Sequence, residues 1–328
     1  MTSDKTIQLG AKGPRVFPIA LGCMGMSGMY GASEEAESLA TIDLALERGV
    51  NLLDTGDFYG MGHNELLVGR AIKGRRDKVL LSVKFGGLRS PGGGWVGFDA
   101  RPAALKNFLC YSLVRLGVDY IDIYRPARLD PAVPIEDTIG AIAELVQAGY
   151  VRAIGLSEVG VDTIRRAAKV HPIVDLQIEY SLISRGPEQK IFPVLAELGI
   201  GVTAYGVLSR GLLSGSGFGQ GDFRASLPRF TGENGEKNRK AVEAFSALAR
   251  ERGVTPSQLA IAWVLAKGGN IVPTMGSRTR KQLTEALGAL DVRLSASDVA
   301  LIEQTLPAEA IVGERYQAAQ MAHLDSEK

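Results

Sequence analysis

The chain has 328 residues, 45% hydrophobic and 22% charged, with 37 basic residues against 36 acidic ones and a formal net charge of +1. That is the composition of a globular chain with ample material for a core, and it argues against a disordered or fibrous protein. A nearly neutral balance lacks the basic footprint of nucleic-acid or anionic-membrane binding, so neither partner is expected. Only Cys23 and Cys110 are present, too few for a disulfide framework and without metal-ligand spacing, so both are read as small core residues and no metal is expected. The N-terminus is polar and no apolar run reaches membrane-span length, which sets a cytoplasmic expectation.

In chain order, Thr6-Ile7-Gln8-Leu9, the breaker-rich Gly10-Ala11-Lys12-Gly13-Pro14 and then Arg15-Val16 predict a short hairpin. Apolar strands follow at 18–21, 50–53, 79–83, 120–124, 151–156, 174–178, 201–205 and 271–274. Between them, helical spacing covers 34–48, 65–72, 102–116, 135–148, 161–169, 188–197 and the longer 237–267, with 281–289 after the last strand. Pro102 at a first helical position and the Thr255-Pro256-Ser257-Gln258 capping box mark helix starts. The strands are apolar throughout rather than alternating, as parallel strands covered by helices are. Strand followed by helix, repeated eight times over residues 1–328, predicts one (β/α)₈ TIM-barrel domain with an N-terminal hairpin and extra C-terminal helices. A doubly wound sheet is the alternative, and it requires a break in the repeat that the pattern does not contain. Neither a Rossmann fingerprint nor a phosphate-binding P-loop is present. The glycine-rich segment 214–238, including Gly217-Phe218-Gly219-Gln220-Gly221, is longer than a barrel loop needs and is read as a lid or binding loop.

In a barrel the C-terminal ends of all strands share one face, so chemistry is expected where apolar strands run into polar residues. The second strand runs into Asp54-Thr55-Gly56-Asp57-Phe58-Tyr59-Gly60, and the third into Lys84-Phe85-Gly86. Asp54 can pair with Lys84, and an ammonium beside the Tyr59 phenol would lower its ordinary pKa, which lies near 10, making a tuned general acid. The competing reading is a structural ion pair beside a core aromatic.

These motifs resemble the aldo-keto reductases. Asp54 to Gly60 with Asn64-Glu65-Leu66-Leu67-Val68-Gly69-Arg70-Ala71 is similar to the signature around that family's catalytic Asp and Tyr, and Ser82-Val83-Lys84-Phe85-Gly86 to the motif of its catalytic Lys. The likeness continues through Gly155-Leu156-Ser157, Gln177-Ile178-Glu179-Tyr180-Ser181, the stretch 204–213 and Gly276-Ser277-Arg278. The resemblance implies a barrel that binds NADPH without a Rossmann domain and reduces a small-molecule carbonyl, with Tyr59 giving the proton. It implies Ser157 and Gln177 at the nicotinamide carboxamide, Tyr205 stacked on the ring, and Ser209, Arg210 and Gly211 at the pyrophosphate. Ser277, Arg278 and Arg280 would hold the 2′-phosphate, and Gly276 and Glu285 complete the expected cofactor set. A non-enzyme alternative is an NADPH-binding regulatory or sensor protein with weak or no turnover.

Departures stand beside the likeness. The family's fourth catalytic residue, a His, aligns with Ala127; His63 could approach from a loop, or Arg125 or a water could polarise the carbonyl instead. Glu158 and Ala286 stand where many members have Asn. Phe58, Phe85, Trp95 and Phe98, with Arg125 and Ala127, are the expected substrate-site residues. The Pro126-Ala127-Arg128 variant is similar to the pyridoxal-reductase-like branch.

Overall fold

The computed structural model describes residues 6–28, 30–31, 33–215 and 222–328. Strands β1 (Ile7–Gln8) and β2 (Arg15–Val16) pair antiparallel as the predicted hairpin. The barrel then begins with β3 (Ala20–Gly22), β4 (Leu52–Gly56) and β5 (Leu80–Phe85). A hairpin of β6 (Gly87–Arg89) and β7 (Trp95–Phe98) interrupts it, and the barrel resumes with β8 (Ile121–Pro126), β9 (Val151–Ser157), β10 (Ile173–Glu179), β11 (Gly201–Tyr205) and β12 (Ile271–Gly276). The eight barrel strands are parallel, and β12 pairs with β3 to close the sheet. Each predicted strand is present, and a TIM barrel rather than a doubly wound sheet is the fold.

Helices α1 (Glu35–Glu47), α2 (His63–Ile72), α3 (Pro102–Leu116), α4 (Ile135–Gln147), α5 (Val161–Val170) and α6 (Pro187–Leu198) follow successive strands. Beyond β11 come α7 (Gly232–Glu251) and α8 (Pro256–Ala266), and after β12 come α9 (Arg280–Leu287), α10 (Ala296–Thr305) and the short α11 (Ala318–Met321). The expected capping box at Thr255 and Gln258 forms with both reciprocal bonds. The expected loop of 214–238 is shorter than predicted, because α7 starts at Gly232; its Asn238 side chain stitches the helix to Arg229 O and Val312 O. Residues 216–221 of that segment lie outside the described residues, so the lid reading is not addressed there. Among the described residues no helix is long and apolar enough to cross a membrane.

Side chains alternate across each strand, and this places the site. Leu53 joins the large apolar layer between strands and helices, whereas Leu52 joins Leu9, Val16, Ala20, Ile123, Val174 and Val272 in a smaller cluster plugged by the N-terminal hairpin. Gly10 lets that hairpin close on the strands: it sits at φ +66°, and a Cβ there would lie 2.3 Å from Val174 O. Asp54 shares the face of Leu52, so the lumen changes from apolar to polar within two residues. Cys23 is buried and burial pushes its thiol up to about 12, but Cys110 is exposed, contrary to expectation. On α3 the buried residues are Leu105, Leu109, Ser112 and Leu116, and Cys110 stands one position off that stripe.

Candidate active site

Asp54 and Lys84 form a buried ion pair, with side chains 8% and 4% exposed. The Asp54 carboxylate also accepts from Ser82 Oγ and from Gln177 Nε2, each at 2.8 Å. Burial drives the Lys84 ammonium below its ordinary value, and the Asp54 charge and hydrogen bond oppose that. A deeper pair lies next to it. Arg125 donates to Asp175 at 2.8 Å, with both side chains fully buried, and Arg125 Nη2 reaches Ser82 Oγ at 3.0 Å. Ser82 therefore links the two pairs. Gly155 makes the lower one possible, because a Cβ there would come within 2.7 Å of Asp175 Oδ1 and 2.9 Å of the Arg125 guanidinium carbon.

The loop after β4 is held by the other residues of its motif. Thr55 Oγ1 donates to Asn64 Oδ1 at 2.6 Å, and Asn64 Nδ2 donates to Cys23 O and Ser27 Oγ, both at 2.8 Å. Glu65, fully buried, pairs with Arg115, and Asp57 accepts the Gly86 N–H at 3.1 Å. With the loop so anchored, Tyr59 is 7% exposed, its ring centroid 5.1 Å from Lys84 Nζ and 4.8 Å from the Phe58 ring, which meets it edge-on.

The Tyr59 phenol lies well above its ordinary pKa, raised first by burial and then by the Asp54 charge, while the Arg128 guanidinium pulls it down. This corrects the expectation of a phenol lowered by Lys84. Lys84 is paired with Asp54, and the Asp54 charge rather than the Lys84 charge is among the leading influences on the phenol. Burial also pushes the Asp57 carboxyl up to about 7.

The expected cofactor residues occupy consecutive strand ends from β9 to β12. Ser157 Oγ lies 3.4 Å from Arg128 Nη1, and Gln177 points its amide nitrogen at Asp54. Tyr205 donates its hydroxyl to Glu158 at 2.7 Å and meets the Tyr316 hydroxyl at 3.1 Å. The Ser209 N–H bonds Gly206 O and the Gly211 N–H bonds Leu208 O, so these two amides are occupied within the turn. The Arg210 side chain pairs with Glu179 under the Tyr316 ring. Gly276 is exposed, Ser277 buried and Glu285 half-buried; Arg278 donates to Tyr30 O at 2.7 Å, and Arg280 pairs with Glu37.

On the substrate side, Phe58, Trp95 and Phe98 form a continuous aromatic wall, with centroid separations of 5.4 and 5.9 Å. Phe85 is not part of it: it is buried and stacks on Tyr124 at 4.4 Å behind the strands. Arg125 is likewise sealed in the lumen rather than presented at the mouth, because it falls on the inward face of β8 with Ile123. Ala127 is buried at the strand end, with its N–H on Phe85 O. His63 faces outward, bonded to Ser27 Oγ at 2.9 Å and 3.5 Å from a Glu35 oxygen.

Two features escaped the sequence reading. Arg128, one residue past Ala127, folds over the strand ends with its guanidinium on Ala127 O at 2.7 Å and 3.4 Å from Ser157 Oγ. Arg315, far away in the chain, pairs with Glu158 at 2.7 Å and with Glu179 at 3.2 Å, laying the C-terminal segment across the mouth. Burial opposes ionisation of Glu158, but Arg315 overrides it and holds the carboxyl at about 2. Asp325 anchors the same segment by accepting from Gly160 N at 2.8 Å and Thr163 Oγ1 at 2.7 Å. No local pattern signals either contact.

A parallel barrel with an acid, an ammonium and a phenol gathered at its C-terminal face defines an oxidoreductase of the barrel class. The model of the Aldo/keto reductase family matches residues 18–307, and the chain belongs to that family, whose members reduce carbonyl groups with NAD(P)H. The chain is 40% identical over 316 residues to a protein of Glycine max named probable aldo-keto reductase 1, covering 94% of this chain and 91% of that one. A glycerol dehydrogenase structure from Gluconobacter oxydans superposes with a TM-score of 0.83 at 29% identity, over 93% of this chain and 96% of that one. The holo form of an aldo-keto reductase from Bacillus halodurans gives 0.77 at 30% identity, over 93% and 97%.

Proposed function

We propose that the chain is an NADPH-dependent carbonyl reductase in which Tyr59 delivers the proton from a site held by Asp54 and Lys84. The observation that carries this reading is the buried Asp54–Lys84 pair with the Tyr59 ring beside it at the open end of the lumen. The dinucleotide, when bound, supplies the hydride that reaches the carbonyl carbon. Asp54, fixed by Ser82 and Gln177, keeps Lys84 charged and in place. Tyr59, with its phenol raised above its ordinary value, stays protonated until charge develops on the carbonyl oxygen.

The donor set suits the cofactor. Ser157 and Gln177 offer hydroxyl and amide groups to a carboxamide, and Tyr205 offers an aromatic face. Ser209, Arg210 and Gly211 stand by for the pyrophosphate, where Arg210 would have to turn from Glu179. Gly276, Ser277, Arg278 and Arg280 open α9 with Glu285 one turn further, and a helix N-terminus with arginines favours a 2′-phosphate. Arg280 lies on Glu37, which such a phosphate would displace. Phe58 and Trp95 suit a carbonyl compound with an apolar body.

The test is NADPH oxidation with a panel of aldehydes, quinones and cyclic ketones. Tyr59→Phe is expected to bind NADPH as the wild type does and to lose about 10²-fold or more in kcat/KM. Unchanged turnover in that variant would sink the proton-donor assignment, and NADPH binding without turnover of any panel member would favour a regulatory protein.

A further inference from the structure

Ala127 leaves a chemical gap. Its methyl group can neither donate to a carbonyl oxygen nor move a proton, and its backbone is spent on Phe85 O and on Arg128. We propose that Arg128 fills this gap by donating a hydrogen bond from its guanidinium to the carbonyl oxygen, opposite the Tyr59 phenol. The inference rests on the carbonyl-reductase reading above and adds a catalytic residue to it.

Arg125, Arg210, Arg224 and Arg315 are each paired with a carboxylate, on Asp175, Glu179, Asp222 and Glu158 respectively. Arg128 has no carboxylate within ion-pair distance among the described residues. Its Nη1 donates to Ala127 O at 2.7 Å and reaches Ser157 Oγ at 3.4 Å, which folds the side chain back over the ends of β8 and β9. Nε and Nη2 have no partner among the described residues, and neither is among the sealed, unbonded polar atoms of the protein. Arg128 is therefore a cation fixed at one nitrogen and open at the others. Burial works against its charge, but its surroundings, the Glu158 carboxylate among them, outweigh that, and the guanidinium keeps its proton. Its field is felt at both Tyr59 and Lys84.

The chemistry balances without a proton from the arginine. A bound dinucleotide would supply the two electrons as hydride to the carbonyl carbon, the C=O π pair would move to oxygen, and that oxygen would take the proton of Tyr59. Water then reprotonates the phenolate. Arg128 keeps its proton and stabilises the charge building on oxygen, as a donor already in place does. It differs here from a histidine, which could also exchange the proton.

The experiment compares wild type, Arg128→Gln and Arg128→Lys. For each, the thermal midpoint, NADPH affinity by fluorescence, kcat/KM for 4-nitrobenzaldehyde and the ζ-carbon NMR signal of labelled Tyr59 in cofactor-free protein are measured. Arg128→Gln is expected to lose about 10²- to 10³-fold in kcat/KM, keep NADPH affinity within about threefold, and recover at least about tenfold on adding guanidinium chloride. Its Tyr59 signal shifts, whereas Arg128→Lys, which keeps charge without the fork, shifts it less and loses less activity. Activity within about threefold of wild type, an equal loss in NADPH affinity, or an unmoved Tyr59 signal would overturn the assignment. A wild type that reduces no carbonyl would refute the reductase reading and this one together, whereas an active wild type with an equally active Arg128→Gln refutes only this one.

Discussion

Two cation–carboxylate pairs stand one above the other in the barrel lumen, joined through Ser82, and they differ in almost everything that chemistry requires. Arg125–Asp175 is sealed: both side chains are fully buried, the cation is one that does not titrate in proteins, and Thr203 Oγ1 adds a further bond to Asp175 at 2.6 Å. Asp54–Lys84 lies nearer the open end, uses a cation whose charge burial can weaken, and has an aromatic phenol against it. The lower pair fixes the geometry of the lumen, and the upper pair has a group to act upon. On the proposed function, depth along one strand direction separates a structural ion pair from a reactive one.

Removing half of the sealed pair should produce the largest change in stability. Arg125→Met leaves Asp175 charged and buried beside the gap at Gly155, and a loss of about 3–5 kcal/mol is expected by chemical denaturation; a loss under about 1 kcal/mol would mean that water reaches the pair. Asp57 is the contrasting case, a buried carboxyl that makes no ion pair among the described residues. Its pKa, at about 7 in the folded chain, exceeds its unfolded value, so its favourable contribution is complete below that unfolded value and is lost as pH rises through about 7. Asp57→Asn should therefore stabilise the protein by about 1–2 kcal/mol at about pH 8 and by much less at about pH 5, discounting for partial exposure. Thermal midpoints at the two pH values check this, and a gain at the lower pH alone would contradict it. The smallest effect belongs to the exposed pair Glu37–Arg280. Glu37→Gln should release Arg280 and improve NADPH affinity relative to NADH by about two- to fivefold, measured by fluorescence titration; an unchanged ratio would place the 2′-phosphate elsewhere.

The barrel was legible because each strand is a short apolar run closed by breakers and each intervening helix carries its own spacing. Asp54, Tyr59 and Lys84 stood out for the same reason, as polar residues where apolar strands end. Arg125 and Phe85 were misplaced by reading position along the chain without side-chain direction: Arg125 shares the inward face of Ile123, and Phe85 faces the layer behind the strands. The β6–β7 hairpin was visible only as glycine-rich sequence, although Trp95-Val96-Gly97-Phe98 has strand-forming residues beside a turn. Arg315 reaches Glu158 across 157 positions, and no local pattern encodes such a contact.

The central claim is that the upper pair works and the lower pair holds. It is tested most directly by kcat/KM, normalised to NADPH-binding sites, for Lys84→Met beside the double variant Arg125→Met with Asp175→Leu. The double change replaces the sealed pair by apolar groups of similar bulk, a replacement that is often near neutral. The account predicts a loss of about 10²-fold or more for Lys84→Met and activity within about fivefold of wild type for the double variant. Equal losses in the two proteins would contradict it.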